Sequence, residues 1–182
     1  MCAALASLLL CSLTACGKTE EPARQDIFAM DTYMSLVAYG EDGQEALAAA
    51  AREINRLEQE LSRTVSTSYI YKLNENGSAA VSEETANLLK AAMDYSAATG
   101  GLFDMTVAPL VSLWGITTDS PRVPSRSEID ALLPLVGSDR VHLDGQTVTL
   151  DAGCAVDLGG IAKGYASDRV AQVLGQYAVT GA

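Results

Sequence analysis

The chain has 182 residues, 48% of them hydrophobic, enough for one domain with a real core. Its 23 acidic side chains against 12 basic ones give a formal net charge of −11. That balance argues against nucleic-acid binding, which needs a basic footprint, and against electrostatic attachment to anionic lipid.

The first sixteen residues are expected to stand apart from the fold. Ala3 to Leu13 form an apolar run too short to span a bilayer as a helix. Leu13-Thr14-Ala15-Cys16 then matches the lipobox of bacterial lipoprotein signal peptides, with Cys16 as the lipidated residue. This predicts a lipid-anchored protein on the extracytoplasmic face of a bacterial membrane, with residues 17–26 as a polar tether. Met1-Cys2 carries no basic n-region, so the start is expected upstream or the gene to be a fragment. With Cys2 and Cys11 removed and Cys16 lipidated, Cys154 is left as one free thiol in an apolar context, a core residue. With it and His142 alone, a Cys/His zinc site cannot be assembled.

Residues 26–39 predict a strand and 43–61 an amphipathic helix with Leu47, Ala50, Ile54, Leu57 and Leu61 on its buried face. A polar loop follows, with a short helical piece over 69–73. Ser82 is the expected N-cap of a helix over 83–98, whose stripe is Leu88, Leu89, Ala92 and Met93. A glycine turn then leads into a short helix before 115, with Trp114 expected in the core. Residues 127–133 predict a brief helix and 141–150 a hairpin turned on Asp144-Gly145. A strand is expected to end at Asp157, and a helix to run over 160–175. Residues 177–179 predict the start of another strand. Strands and helices alternate without βαβ spacing, which favours an α+β fold with a mixed sheet and flanking helices.

The most informative segment is Asp157 to Val170 (DLGGIAKGYASDRV). A carboxylate, two glycines and a helix with Lys163 in its first turn predict a strand-to-helix turn whose N–H groups and helix dipole attract a phosphorylated ligand, with a divalent cation close by. The spacing fits neither a Walker A loop nor the dinucleotide G-x-G-x-x-G pattern. The plainer alternative is a turn whose glycines allow close packing. A second glycine-acid turn, Gly100 to Thr106, offers Asp104 as a cap and Phe103 as a support for a planar ring. Residues 68–74 read as a polar turn, with Asn74 and Gly77 serving the bend.

Four segments together resemble one family: MDTYMSL (30–36), LSRTVSTSYIYKLN (61–74), TGGLFDMTVAPLVSLWG (99–115) and DLGGIAKGYASDRV (157–170) are similar to the FAD:protein FMN transferases, the ApbE family. The resemblance implies residues 27–182 to be the N-terminal part of a flavin transferase domain with a T-fold-like architecture, incomplete at its C-terminal end. It implies an Mg²⁺-dependent enzyme that cleaves FAD and joins FMN to a Thr or Ser of a partner flavoprotein, such as a subunit of a membrane redox complex. Carried over by motif, Met30, Thr64, Leu102, Phe103, Asp104, Asp157 and Lys163 would contact FAD, and Gly160 would offer its backbone oxygen to Mg²⁺. Thr64 falls where the family usually has an aromatic residue, and Asp31 where many members carry Gly. The family's His-x-x-Asp-Pro and Asp-x-x-x-Thr groups, which complete the metal site, have no counterpart here. The 182-residue chain is therefore expected to be truncated and inactive as a transferase. The alternatives are a periplasmic FAD pyrophosphatase giving FMN and AMP, and a lipid-tethered flavin-binding protein without catalysis.

Overall fold

The computed structural model describes residues 21–182 apart from 117, so the signal segment and Cys16 lie outside the described residues. Strand β1 (Ala23–Ala29) starts inside the segment expected as tether. The single strand expected over 26–39 is instead a hairpin, because Met30 and Asp31 both adopt left-handed backbone, with φ of 52° and 54°. Two consecutive residues at positive φ form the turn whose twist matches a two-residue hairpin, and β2 (Thr32–Ala38) returns antiparallel with Ala29 opposite Thr32. Neither residue is the Asn or Gly that normally signals such a turn, so the break is hidden in composition.

Helix α1 (Gly43–Leu61) lies across the inner face of this hairpin and buries Ala46, Leu47, Ala50, Ile54, Leu57 and Leu61, the periodic face its sequence predicts. Helix α2 (Tyr69–Asn76) is longer than expected. Ser68 caps its start by accepting from Tyr71 N–H, and Gly77, at φ 70°, closes it. After β3 (Ser78–Ala80), helix α3 (Glu83–Ala98) begins as predicted, with the Ser82 hydroxyl accepting from Thr85 N–H. Leu88, Leu89 and Ala92 are buried, while Met93 is only partly so.

A 3-10 turn (Met105–Val107) leads into α4 (Ala108–Trp114), where Trp114 is 37% exposed instead of in the core. Helix α5 (Arg126–Leu132) starts on a reciprocal cap in which Ser125 and Glu128 each satisfy the other's backbone N–H. Strands β4 (Val141–Asp144) and β5 (Thr147–Leu150) pair with Asp144 opposite Thr147, so the turn is made by Gly145-Gln146, one residue later than expected. Gly145 carries the positive φ of 57°. Strand β3 joins the other edge of β5, giving a three-stranded antiparallel sheet of order β3-β5-β4 beside the separate β1-β2 hairpin. Helix α6 (Ala162–Leu174) packs along α1.

The main core lies between α2, α3, the three-stranded sheet and the start of α6, around Leu57, Leu73, Leu89, Met105, Val148, Val156 and Leu158. Cys154 is buried there, and burial pushes its thiol up to about 11, as suits a packing residue. An ion cluster clamps helices α1, α3 and α6. Arg56 of α1 meets Glu53, Glu60 and Glu84 at 2.8–2.9 Å, and Arg169 of α6 meets Glu53 at 3.1 Å and Glu84 at 3.2 Å. The Tyr165 hydroxyl donates to Glu84 at 2.6 Å. Burial and that carboxylate push the Tyr165 phenol up to about 12. No helix among the described residues is long and apolar enough to cross a membrane.

Candidate functional site

Asp157 does not end a strand. Residues 154–158 belong to no strand, and part of their backbone is held by other means. The Asn74 side chain supplies both halves of a strand partner: its amide donates to Val156 O and its oxygen accepts from Val156 N–H, each at 2.8 Å. Asp157 N–H then donates to Met105 O at 2.7 Å. Asn74, expected only to serve a local bend, thus fixes the segment carrying the site acid across 82 positions of sequence. The only trace of this in the sequence is its place at the end of the second family-like motif.

The turn after Asp157 differs from a backbone phosphate cradle. Gly159 N–H donates to the Asp157 carboxylate at 2.7 Å, and the N–H groups of Ile161 and Ala162 both donate to Leu158 O. These donors, expected to be open, are already committed. Gly160 packs closely against Phe103, since a Cβ there would lie 3.0 Å from the ring. The charges at this place are side chains of both signs, Asp31, Glu58 and Asp157 against Arg63 and Lys163. The other carboxylate oxygen of Asp157 pairs with Arg63 Nε at 2.8 Å, both side chains being about four-fifths buried, and Arg63 also reaches Ile116 O at 3.4 Å. Arg63 was not among the predicted site residues, although it sits inside the second family-like motif.

Met30, Thr64, Asp157 and Lys163 line one cleft of about 310 Å³, together with Asp31, Glu58 and Arg63. They come from the hairpin turn, the α1–α2 loop and the start of α6, so the fold brings together residues from three distant segments. The Met30 N–H, turned inward by its left-handed backbone, donates to Glu58 at 2.7 Å. A bulky residue held at positive φ and braced in this way is local strain of the kind that concentrates at functional sites. Thr64 is held by Ser62, whose hydroxyl accepts from its N–H at 3.1 Å. Lys163 is exposed at the cleft and has no ion-pair partner among the described residues.

The remaining predicted residues lie elsewhere. Phe103 and Gly160 line a neighbouring groove of about 610 Å³ with Tyr95, Thr99, Gly164 and Tyr165. Leu102 is 94% exposed. Asp104 points inward: its carboxylate accepts from Thr106 N–H at 2.8 Å, the Thr106 hydroxyl at 2.6 Å and Ser138 N–H at 3.0 Å. It therefore shapes the Phe103 loop, with its oxygens already occupied. Cys16 lies outside the described residues. A magnesium ion needs about six oxygen ligands, and among the described residues no three acidic, His or Cys side chains are placed to hold a metal ion. Gly160 O and an Asp157 already paired with Arg63 do not make such a site.

The ApbE family pattern matches residues 30–182. Over 181 aligned residues the chain is 33% identical to the FAD:protein FMN transferase of Vibrio cholerae, covering 94% of this chain and 54% of that relative. It is 28% identical to the FAD:protein FMN transferase of Treponema pallidum over 192 residues, 96% of this chain and 53% of the relative. Its fold matches the crystal structure of the ApbE protein of Thermotoga maritima with a TM-score of 0.80 at 35% identity, over 85% of this chain and 52% of that one. The chain spans about half the length of the relatives it matches. The cleft, the α+β architecture and the family pattern all cover the same residues, and the chain belongs to the ApbE family.

Proposed function

We propose that this chain forms the flavin-holding half of an FAD:protein FMN transferase. The observation that carries this reading is the meeting of Met30, Asp157, Arg63 and Lys163 in one cleft within a family whose relatives bear that name. Lys163 and Arg63 supply two cations for the FAD diphosphate, and the helix dipole of α6 adds to them. Asp157, held by Arg63 and Gly159 N–H, is fixed in place beside them. In the full reaction an acceptor Thr or Ser oxygen forms a bond to the FMN phosphorus, the bond to AMP breaks, and positioning and charge stabilisation lower the barrier.

The reaction is proposed to depend on Mg²⁺, which would neutralise charge on the diphosphate. Its carboxylate ligands would have to come from outside residues 21–182, so these residues bind FAD without turning it over. A lipid anchor at Cys16 on the extracytoplasmic membrane face, and an acceptor flavoprotein there, complete the proposal.

Calorimetric titration of the chain with FAD tests the binding step. Lys163→Ala is expected to weaken FAD by about tenfold, the loss of one charge-assisted contact of about 1.4 kcal/mol. A full-length relative bearing the same change, given FAD, Mg²⁺ and an acceptor domain, should attach FMN more slowly as judged by acceptor mass. No heat from FAD, or equal affinity in the variant, sinks the reading. Free FMN without acceptor modification would favour the pyrophosphatase alternative.

A further inference from the structure

Met30 sits in a backbone conformation that its own side chain disfavours. It and Asp31 lie at φ of 52° and 54°. Met30 lacks both the freedom of glycine and the local hydrogen bonding that lets Asn or Asp tolerate such backbone. The hairpin ladder closes at Ala29 and Thr32, so the Met30 N–H takes no part in it. Glu58 accepts from that N–H at 2.7 Å, across 28 positions of sequence. The Thr32 hydroxyl donates to Met30 O at 3.3 Å, but from within the same hairpin. Glu58 therefore ties the turn to helix α1, while the Met30 side chain packs against the main core.

The tie is made from a firm base. Glu58 lies in the last turn of α1 between Leu57 and Leu61, both buried. Its backbone oxygen accepts from Ser62 N–H at 3.0 Å, and the Ser62 hydroxyl accepts from Thr64 N–H at 3.1 Å and Val65 N–H at 3.2 Å. One residue thus reaches two walls of the cleft, the hairpin turn through its side chain and the Arg63-Thr64 loop through its backbone. Its neighbours on α1 serve otherwise: Glu53 and Glu60 each pair with Arg56 at 2.8 Å, whereas Glu58 meets a backbone N–H. Glu58 also adds a negative charge to a cleft that already holds Asp31 and Asp157 against Arg63 and Lys163. Toward an anionic ligand that charge is unfavourable, so any gain must come from the acceptor oxygen.

We propose that Glu58 is a positioning residue of the flavin site. By accepting from Met30 N–H it holds the Met30-Asp31 turn in its left-handed form and sets Met30 in the cleft wall, where the flavin nucleotide meets it. It acts through Met30 and through hydrogen-bond geometry, not through charge. Strained backbone persists only where its surroundings over-determine it, and Glu58 is the surrounding group that does so here. Without the acceptor the turn relaxes, the hairpin tip shifts and Met30 leaves its place. This role rests on the flavin reading of the cleft.

Calorimetric titration of Glu58→Gln and Glu58→Met with FAD tests it. Both replacements are neutral, similar in size to glutamate and good helix formers, and they differ in whether an oxygen faces Met30 N–H. Glu58→Gln should bind FAD at least as tightly as wild type, since the acceptor stays and a negative charge goes. Glu58→Met should bind about fivefold more weakly than Glu58→Gln, the share of one hydrogen bond. Hydrogen exchange gives a readout without ligand: the Met30 amide should be protected in wild type and Glu58→Gln, and exchange roughly tenfold faster in Glu58→Met. Asp31→Gly favours the same turn unaided, so in its background the affinity gap between the two variants should shrink. Equal affinity of the two variants overturns the proposal, as does weakened binding in both, which assigns the effect to charge. A Met30 amide still protected in Glu58→Met, or a gap undiminished by Asp31→Gly, overturns it as well. If wild type gives no heat with FAD, the flavin reading fails and this role falls with it, whereas failure confined to the variants leaves that reading standing.

Discussion

Replacing Asn74 by alanine should loosen both the fold and the site. The side chain makes two hydrogen bonds to Val156, a fully buried residue, and nothing else is placed to replace them. Truncation leaves one N–H and one C=O unpaired in the core. An unsatisfied buried group costs about 1–3 kcal/mol, and water entering the space left by the amide recovers part of it. The expected loss is about 2–3 kcal/mol, or roughly 4–12 °C in Tm for a chain of this size. Urea denaturation followed by circular dichroism measures it. Asn74→Asp gives a sharper signature. At pH 7 the introduced carboxylate still accepts from Val156 N–H but opposes Val156 O, so the variant should be about as unstable as the alanine form. Protonation restores a donor, which raises the folded-state pKa of that carboxyl. The deficit relative to wild type should therefore shrink as pH falls from 7 to 5.5. If Asn74→Ala stays within about 0.5 kcal/mol of wild type, or the aspartate deficit is flat with pH, the account of how Asp157 is held is wrong.

Arg56 and, after the cost of burial, Arg169 hold the Glu53 carboxyl at about 2 against its ordinary 4.5. A depressed folded-state value stabilises fully above 4.5 and is lost as pH falls toward 2. About 2–3 kcal/mol should therefore disappear across that window, and Glu53→Gln should flatten the profile in urea titrations at pH 7, 4 and 3. Gly164 lies within α6 with nothing within 4 Å of where a Cβ would be. Gly164→Ala should accordingly raise stability by about 0.5–1 kcal/mol, seen as a higher urea midpoint. Asp31→Gly relieves a non-glycine residue at φ 54° and should raise Tm by roughly 1–3 °C, whereas a fall would show that the Asp31 side chain has a role of its own.

Much of this molecule was legible in its sequence. Helices α1 and α3 were predicted to the residue because periodic apolar faces and, for α3, a serine cap are local signals. The same held for the buried Cys154. Errors came where geometry overrode composition. Met30 and Asp31 reverse the chain without a turn residue, and Val156 finds its partner in a side chain instead of a strand. The site was legible as motifs but not as contacts. Asp157 and Lys163 could be named from their spacing, yet their neighbours Arg63 and Glu58 arrive from another element. Asp104, named with them, is engaged by Thr106 and Ser138. Sequence distance hides such pairings, since period and propensity describe only neighbours along the chain.

The burial of Cys154 turns a passive packing group into a timekeeper. A thiol that stays protonated and out of solvent is silent to alkylating reagents while the domain is closed. Its modification can proceed only during excursions that expose the interior, so the pace of labelling at this one sulfur, set against that of an unfolded chain, gauges how often the whole core breathes.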